Sequence, residues 1–148
     1  MGHRLHALVA LLPVNLEAAA KFDLTVLERA GFAVVPLHPA HSDAWTERLN
    51  LEPRVAQSAV MLDLPITYAF ARAFGCGRYA LLETDYFGGV GTQRAALFED
   101  EALILESDRI NTVLARLGVS RAGDSDEFDT LELDALRSTD RFFKAYLA

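Results

Sequence analysis

Tyr79-Ala-Leu-Leu-Glu-Thr-Asp-Tyr-Phe-Gly-Gly-Val-Gly-Thr-Gln-Arg-Ala-Ala-Leu-Phe98 sets two apolar runs on either side of a glycine-dense turn. Runs of this length around such a turn read as a β-hairpin. Side chains alternate across a strand, so Tyr79, Leu81, Glu83, Asp85 and Phe87 share one face. Ala80, Leu82, Thr84 and Tyr86 share the other. A turn centred on Gly89-Val90 places glycine first, as a type II′ turn requires. That register pairs Tyr86 with Gln93, Asp85 with Arg94, Thr84 with Ala95 and Glu83 with Ala96, and it predicts an Asp85–Arg94 ion pair. A wider loop over Phe87 to Gly91 shifts the register and removes the pair.

Working outward, Leu5 to Val14 is a continuous apolar run, suited to a buried strand. Leu16 to Arg29 reads as a helix capped by Asn15 and stopped by Gly31. Phe32 to Leu37 is a second apolar strand, so the opening reads as β-α-β, a unit whose strands lie parallel in one sheet. His38 to Pro53 reads as polar and irregular, with a helical turn over Asp43 to Leu49. Val55 to Leu62 fits a strand. Asp63-Leu-Pro65 starts a helix, with Ile66, Ala69, Phe70, Ala73 and Phe74 at helical spacing. After the hairpin, the acidic turn Glu99-Asp-Glu101 leads to a third antiparallel strand at Ala102 to Leu105. Ser107 or Asp108 then caps a helix from Arg109 to Leu117, ended by Gly118. Arg121 to Glu127 is a polar loop. A final helix after Ser138 or Thr139 carries Phe142, Phe143, Tyr146 and Leu147, an amphipathic stripe that would serve core packing or a homodimer. No internal repeat or linker divides the 148 residues. The expectation is a single α+β domain, with a β-α-β unit and a Gly-rich antiparallel hairpin in one sheet and helices packed on it.

Composition narrows the function. Hydrophobic residues make up 51 %, enough for a sizeable core. A net charge of -7 gives little to release phosphate counterions, which argues against nucleic acid and is compatible with a basic protein partner. Cys76 is the single cysteine, so no intrachain disulfide forms, and its Phe74-Gly-Cys-Gly-Arg78 setting reads as a helix-to-strand turn. Arg4, the apolar run to Val14 and Ala18-Ala-Ala20 imitate a secretory signal. His6 inside the run and Glu17 near the cleavage position favour a strand instead. No run approaches the ~20 apolar residues of a membrane helix. These features predict a cytoplasmic protein without a membrane partner.

Candidate chemistry gathers at the hairpin. Glu83 and Asp85 on one face stand roughly 6–7 Å apart at ~3.3 Å rise per residue, a spacing usable for acid–base work or a hard cation. In such a site Glu83 acts as base, Asp85 orients it, and Tyr86 or His38 donates a proton. Two acids on a solvated strand face is the plainer reading. Gly88, Gly89 and Gly91 could form an anion nest, but the lysine and helix of a phosphate loop are missing and a tight turn explains them. His38 and His41 flank Pro39, and a metal would need Asp63 or Glu83 as a further ligand. Two loop histidines meeting solvent is the favoured reading. No cofactor or metal is expected, and no common hydrolase or metal signature is present. Trp45 reads as a plug at the core edge, with an anchor for a partner as the alternative.

Glu83-Thr-Asp-Tyr-Phe-Gly-Gly-Val-Gly91, followed by Gln93, resembles a segment in a group of small bacterial proteins of unassigned function. The resemblance extends to the Ile110 to Gly118 helix and Glu127-Phe-Asp129, covering the C-terminal half, and implies no catalytic assignment. Small acidic proteins of this kind are similar to the immunity partners of bacterial toxins. The expectation is therefore a non-catalytic protein-binding module. Its contacts would be Glu83, Asp85, Tyr86, Gly88, Gly89, Gly91, Arg94 and the acidic Asp124 to Asp129 segment. A small enzyme with a Glu83/Asp85 carboxylate site, or a small-ligand sensor, is the alternative.

Overall fold

The computed structural model describes residues 2–147 and shows one six-stranded sheet in the order β2-β3-β1-β4-β5-β6. The strands are β1 (His6–Leu11), β2 (Leu27–Arg29), β3 (Phe32–Pro36), β4 (Arg78–Phe87), β5 (Val90–Glu99) and β6 (Ala102–Ser107). Every neighbouring pair is antiparallel. Five helices join them: α1 (Leu16–Lys21), α2 (Pro39–Leu49), α3 (Pro65–Phe74), α4 (Ile110–Leu117) and α5 (Glu127–Thr130). The expected α+β architecture is what the chain adopts. No helix among the described residues is long and apolar enough to cross a membrane.

The opening differs from the predicted parallel unit in an instructive way. α1 stops at Lys21, short of Arg29, and Leu27–Arg29 becomes β2. Ala30 and Gly31 both take positive φ, 51° and 85°, and turn the chain back into β3 as a tight hairpin. β3 is antiparallel to β1 and also to β2, so β1 and β2 point the same way with β3 inserted between them. The β-α-β direction rule is obeyed by β2, and the strand at Phe32 comes back through the gap.

Both faces of the sheet are covered. Leu8, Ala10, Val35, Leu81, Ala96 and Phe98 face a layer containing Ile66, Phe70 and Phe74 of α3, with Phe22 and Phe143. Ala7, Val9, Val34, Leu82, Ala95 and Leu97 face Ile110, Val113, Leu114 and Leu117 of α4, with Leu131, Leu133 and Leu136. Strands buried on both sides need continuous apolar sequence, which is why β1 and β3 show no polar alternation.

Four further expectations are corrected. His38 to Pro53 is mostly an 11-residue helix, α2, because Pro39 sits at its first turn and the His38 Nδ1 accepts the Ala40 amide at 3.0 Å. Val55 to Leu62 is no strand. Its amides turn to side-chain carboxylates: Ser58 N to Asp63 at 2.7 Å, Ala59 N to Glu106 at 2.7 Å and Met61 N to Glu83 at 2.7 Å. Asp63 is taken up there and by the Tyr68 hydroxyl, so it does not cap α3, whose cap position is Leu64. The C-terminal helix is replaced by two 3₁₀ turns, Asp140–Phe142 and Lys144–Tyr146, with Phe143 buried between them. Trp45 does sit at the core edge, edge-on to Phe22 at 5.1 Å and donating to the Tyr146 hydroxyl at 3.2 Å.

Candidate functional site

The β4–β5 turn is centred on Gly88-Gly89, one residue earlier than predicted. Both glycines have positive φ, 61° and 81°, the requirement of a type I′ turn rather than II′. The register becomes Phe87 opposite Val90, Tyr86 opposite Gly91, Asp85 opposite Thr92, Thr84 opposite Gln93 and Glu83 opposite Arg94. The expected Asp85–Arg94 pair is therefore replaced by Glu83 and Arg94, at 4.0 Å between Oε2 and Nε. Gly88 and Gly89 are consumed by the turn. Gly91 is needed because a Cβ there would fall 1.9 Å from the Asp85 carbonyl oxygen.

The predicted catalytic set does not assemble. Glu83 and Asp85 share one face as expected, but Tyr86 projects from the other. Glu83 holds the Met61 amide, and Asp85 is exposed. His38 is far from idle solvent exposure: its Nδ1 accepts from Ala40, and its Nε2 donates to Asp140 Oδ1 at 2.8 Å. Both ring nitrogens are committed, so neither is left to move a substrate proton. His41, also expected in solvent, is fully buried in α2, where its Nε2 donates to the Phe22 carbonyl at 2.6 Å. Burial holds its pKa below the ordinary histidine value. Among the described residues no three His, Cys, Asp or Glu side chains are grouped to hold a metal ion. Cys76 lies in the helix-to-strand turn, and burial pushes its thiol up to about 11.

What the hairpin does build is a cleft on the side of Tyr86. The Gln93 Nε2 donates to the Tyr86 hydroxyl at 3.0 Å, and its Oε1 accepts the Ile110 amide at 2.7 Å, capping α4 from across the sheet. Asn111 fixes the next wall, donating to Asp126 at 3.0 Å and accepting from the Phe128 amide at 2.8 Å. Asp126 caps α5 through the Asp129 amide, and these bonds hold its carboxyl below the usual range. Glu127 is buried and accepts from Arg121 at 3.1 Å. The acidic Asp124 to Asp129 segment is thus partly engaged internally.

This cleft, of about 1060 Å³, runs beside the outer edge of β5 and is lined by Tyr86, Gly91, Arg94, Arg109 and Arg121 among others. A smaller continuation of about 370 Å³ reaches Gly89, His3 and Arg137. β6 extends only to Ser107 opposite Ala95, so nothing pairs with β5 beyond that point. The Thr84 and Tyr86 amides bond to the Leu5 and His3 carbonyls, on the far side of β4. Ladder alternation then turns Val90, Thr92 and Arg94 toward β4, and leaves the Gly91 and Gln93 backbone groups facing the cleft. Phe87 and Val90 at the tip are each 79 % exposed.

Of the predicted binding residues, Tyr86, Gly89, Gly91 and Arg94 line this site, whereas Glu83 and Asp85 face the other way. Arg109, Asn111, Arg121 and Arg137 escaped the sequence reading, since lone polar residues on separate elements leave no spacing signal. Comparison with protein-family models, with curated proteins and with solved structures finds no match.

Proposed function

We propose that this chain is a non-catalytic protein-binding module, and that it works by adding an extended segment of its partner to the free edge of β5. The observation that carries the reading is the unpaired Gly91 and Gln93 edge beside an exposed Phe87–Val90 tip. An open strand edge is a template for another chain, and proteins normally blunt it unless it is used. The opposite edge of the hairpin is already filled by residues 3–5, and that of β6 is met by Gln57, whose Oε1 accepts the Leu103 amide at 3.0 Å.

The cleft chemistry favours carboxylates on the docked segment. Arg94, Arg109 and Arg121 line it together with Asp108 and Glu127. Arg94 and Arg121 are already paired with Glu83 and Glu127, and Arg109, which forms no ion pair among the described residues, is the cation left for the segment. The Tyr86 hydroxyl accepts from Gln93 and keeps its own proton to donate. The net charge of -7 steers a basic protein toward the chain as a whole, in keeping with the immunity-type analogy, while the segment that enters the cleft carries acids. The carboxylate-site enzyme has less support, because Glu83 is occupied by a backbone amide and His38 has no free nitrogen.

The test is affinity capture from lysate of the source organism followed by hydrogen exchange on the purified complex. A partner retained by the wild type should be lost by Phe87→Ser/Val90→Ser and by Arg109→Glu, and the Gly91 and Gln93 amides should gain protection in the complex. No retained partner, capture indifferent to these variants, or unprotected edge amides would sink the reading.

A further inference from the structure

A second, smaller cavity lies on the other face of the sheet, where the start of β1, the first turn of α2 and the Ser138–Asp140 segment meet. Its volume is about 160 Å³, and its walls are Arg4, His6, His38, Pro39, Met61, Thr139 and Asp140. At ~30 Å³ per water it holds on the order of five waters, so an occupant has only a few heavy atoms.

Three features of the walls converge. His6 is only 8 % exposed, and its Nδ1 is enclosed without a hydrogen-bond partner. An enclosed N–H with no acceptor costs more than an enclosed bare nitrogen, so the favoured tautomer carries its proton on Nε2. That nitrogen is not enclosed in the same way, and it presents a donor with no protein acceptor. Arg4, beside it, forms no ion pair among the described residues. Pro39 brings the positive end of the α2 dipole to the same wall. The one carboxylate present, Asp140, is bound by the His38 Nε2 at 2.8 Å.

We propose that this cavity binds a small oxyanion of the carboxylate or phosphate type, gripped by the Arg4 guanidinium and the His6 Nε2–H at the N-terminus of α2. The site is separate from the β5 edge and does not depend on it. A metal ion is a poor fit, since an uncompensated guanidinium would repel it. An anion supplies acceptors to both donors and a counter-charge to Arg4. Bound charge would also raise the affinity of His6 for a second proton. The groups facing His6 are His38 and Arg4, which oppose that proton, Asp85, which favours it, and Glu83, directly opposite on β4 with its Oε1 held by the Met61 amide; Asp140 reaches it through His38.

The experiment is a titration of the full chain, labelled in its histidine rings, with sodium phosphate and separately with sodium acetate, against sodium chloride at equal ionic strength. A saturable shift of the His6 ring signals and an upward move of its titration midpoint are expected with at least one oxyanion and not with chloride. The Arg4→Gln variant, altered at an exposed position, should bind roughly tenfold or more weakly. A response to phosphate alone assigns the phosphate type, and one to acetate alone the carboxylate type. No saturable shift with either anion, or an undiminished one in Arg4→Gln, overturns the proposal.

Discussion

Glu83 on β4 accepts the Met61 amide through Oε1 at 2.7 Å, tying the 52–61 loop to the sheet, while its Oε2 lies 4.0 Å from the Arg94 Nε on β5. The first bond is charge-assisted and the second is a half-exposed pair of small worth. Glu83→Ala should therefore lower unfolding stability by about 1–2 kcal/mol. Asp85→Ala, two residues on and exposed, should stay within about 0.5 kcal/mol of wild type. Urea denaturation of the two variants side by side checks this. Equal effects would show that the loop tether is not what Glu83 supplies.

Gly91 is the least replaceable glycine of the turn region. A Cβ would stand 1.9 Å from the Asp85 oxygen and 2.6 Å from the Tyr86 Cα, both backbone atoms that cannot rotate aside. Gly91→Ala should cost more than about 2 kcal/mol, whereas Gly89→Ala meets nothing within 4 Å and bears only the left-handed backbone strain of about 1 kcal/mol. Midpoints in urea that rank the other way would refute the close approach.

Gln93 is a bridge between the hairpin and α4. Its removal in Gln93→Ala strips the Ile110 amide of an acceptor at the positive end of the helix. The loss should be about 1 kcal/mol, with faster hydrogen exchange at Ile110. Tyr86→Phe removes only the outer bond of the bridge and should leave Ile110 protected. Amide exchange by NMR separates the two.

Ala30 occupies the left-handed region at φ 51° in the two-residue β2–β3 turn. A side chain there is strained by roughly 1 kcal/mol or more, so Ala30→Gly should stabilise the chain despite glycine's greater entropy in the unfolded state. A thermal midpoint below wild type would show that entropy wins at this position.

That same turn explains where the sequence was legible and where it was not. Apolar runs gave β1, β3 and β4, and helical spacing of apolar residues gave α3 and α4, with Pro65 opening the first and Gly118 ending the second, since these depend on neighbours along the chain. The expected caps Asp63 and Ser107 or Asp108 did not form, as Leu64 and Arg109 hold the cap positions without a side-chain bond. The Ala30-Gly31 turn carries one glycine that equally well ends a helix, and this reading concealed β2 and the antiparallel return of β3. The 52–61 loop is apolar enough for a strand, and only the distant acids Glu83 and Glu106 show why its amides do otherwise. His38 and His41 look like loop residues until α2 forms around Pro39. At the candidate site the hairpin with Arg94 was visible, but Arg109 stands just ahead of α4, and Arg121 and Arg137 lie in the loops beyond it. Their convergence is a tertiary fact.

Acid should weaken this fold through histidine. His6 is pushed down to about 4, first by burial and then by the neighbouring His38 and the Arg4 guanidinium, from 6.5 in the unfolded chain. The unfolded state therefore binds more protons between those values, and stability rises with pH across that window. Equivalently, the contribution is complete above pH 6.5, falls on acidification, and is gone below about 4. A depression from 6.5 to about 4 corresponds to about 3 kcal/mol, and His41, also depressed by burial, acts in the same direction. His6→Gln cannot take up that proton. Its unfolding free energy, measured by urea at a series of pH values, should fall less steeply than wild type between pH 6.5 and 4. Parallel curves for the two proteins would mean that His6 is protonated in the folded chain, and that its enclosed ring nitrogen has found an acceptor.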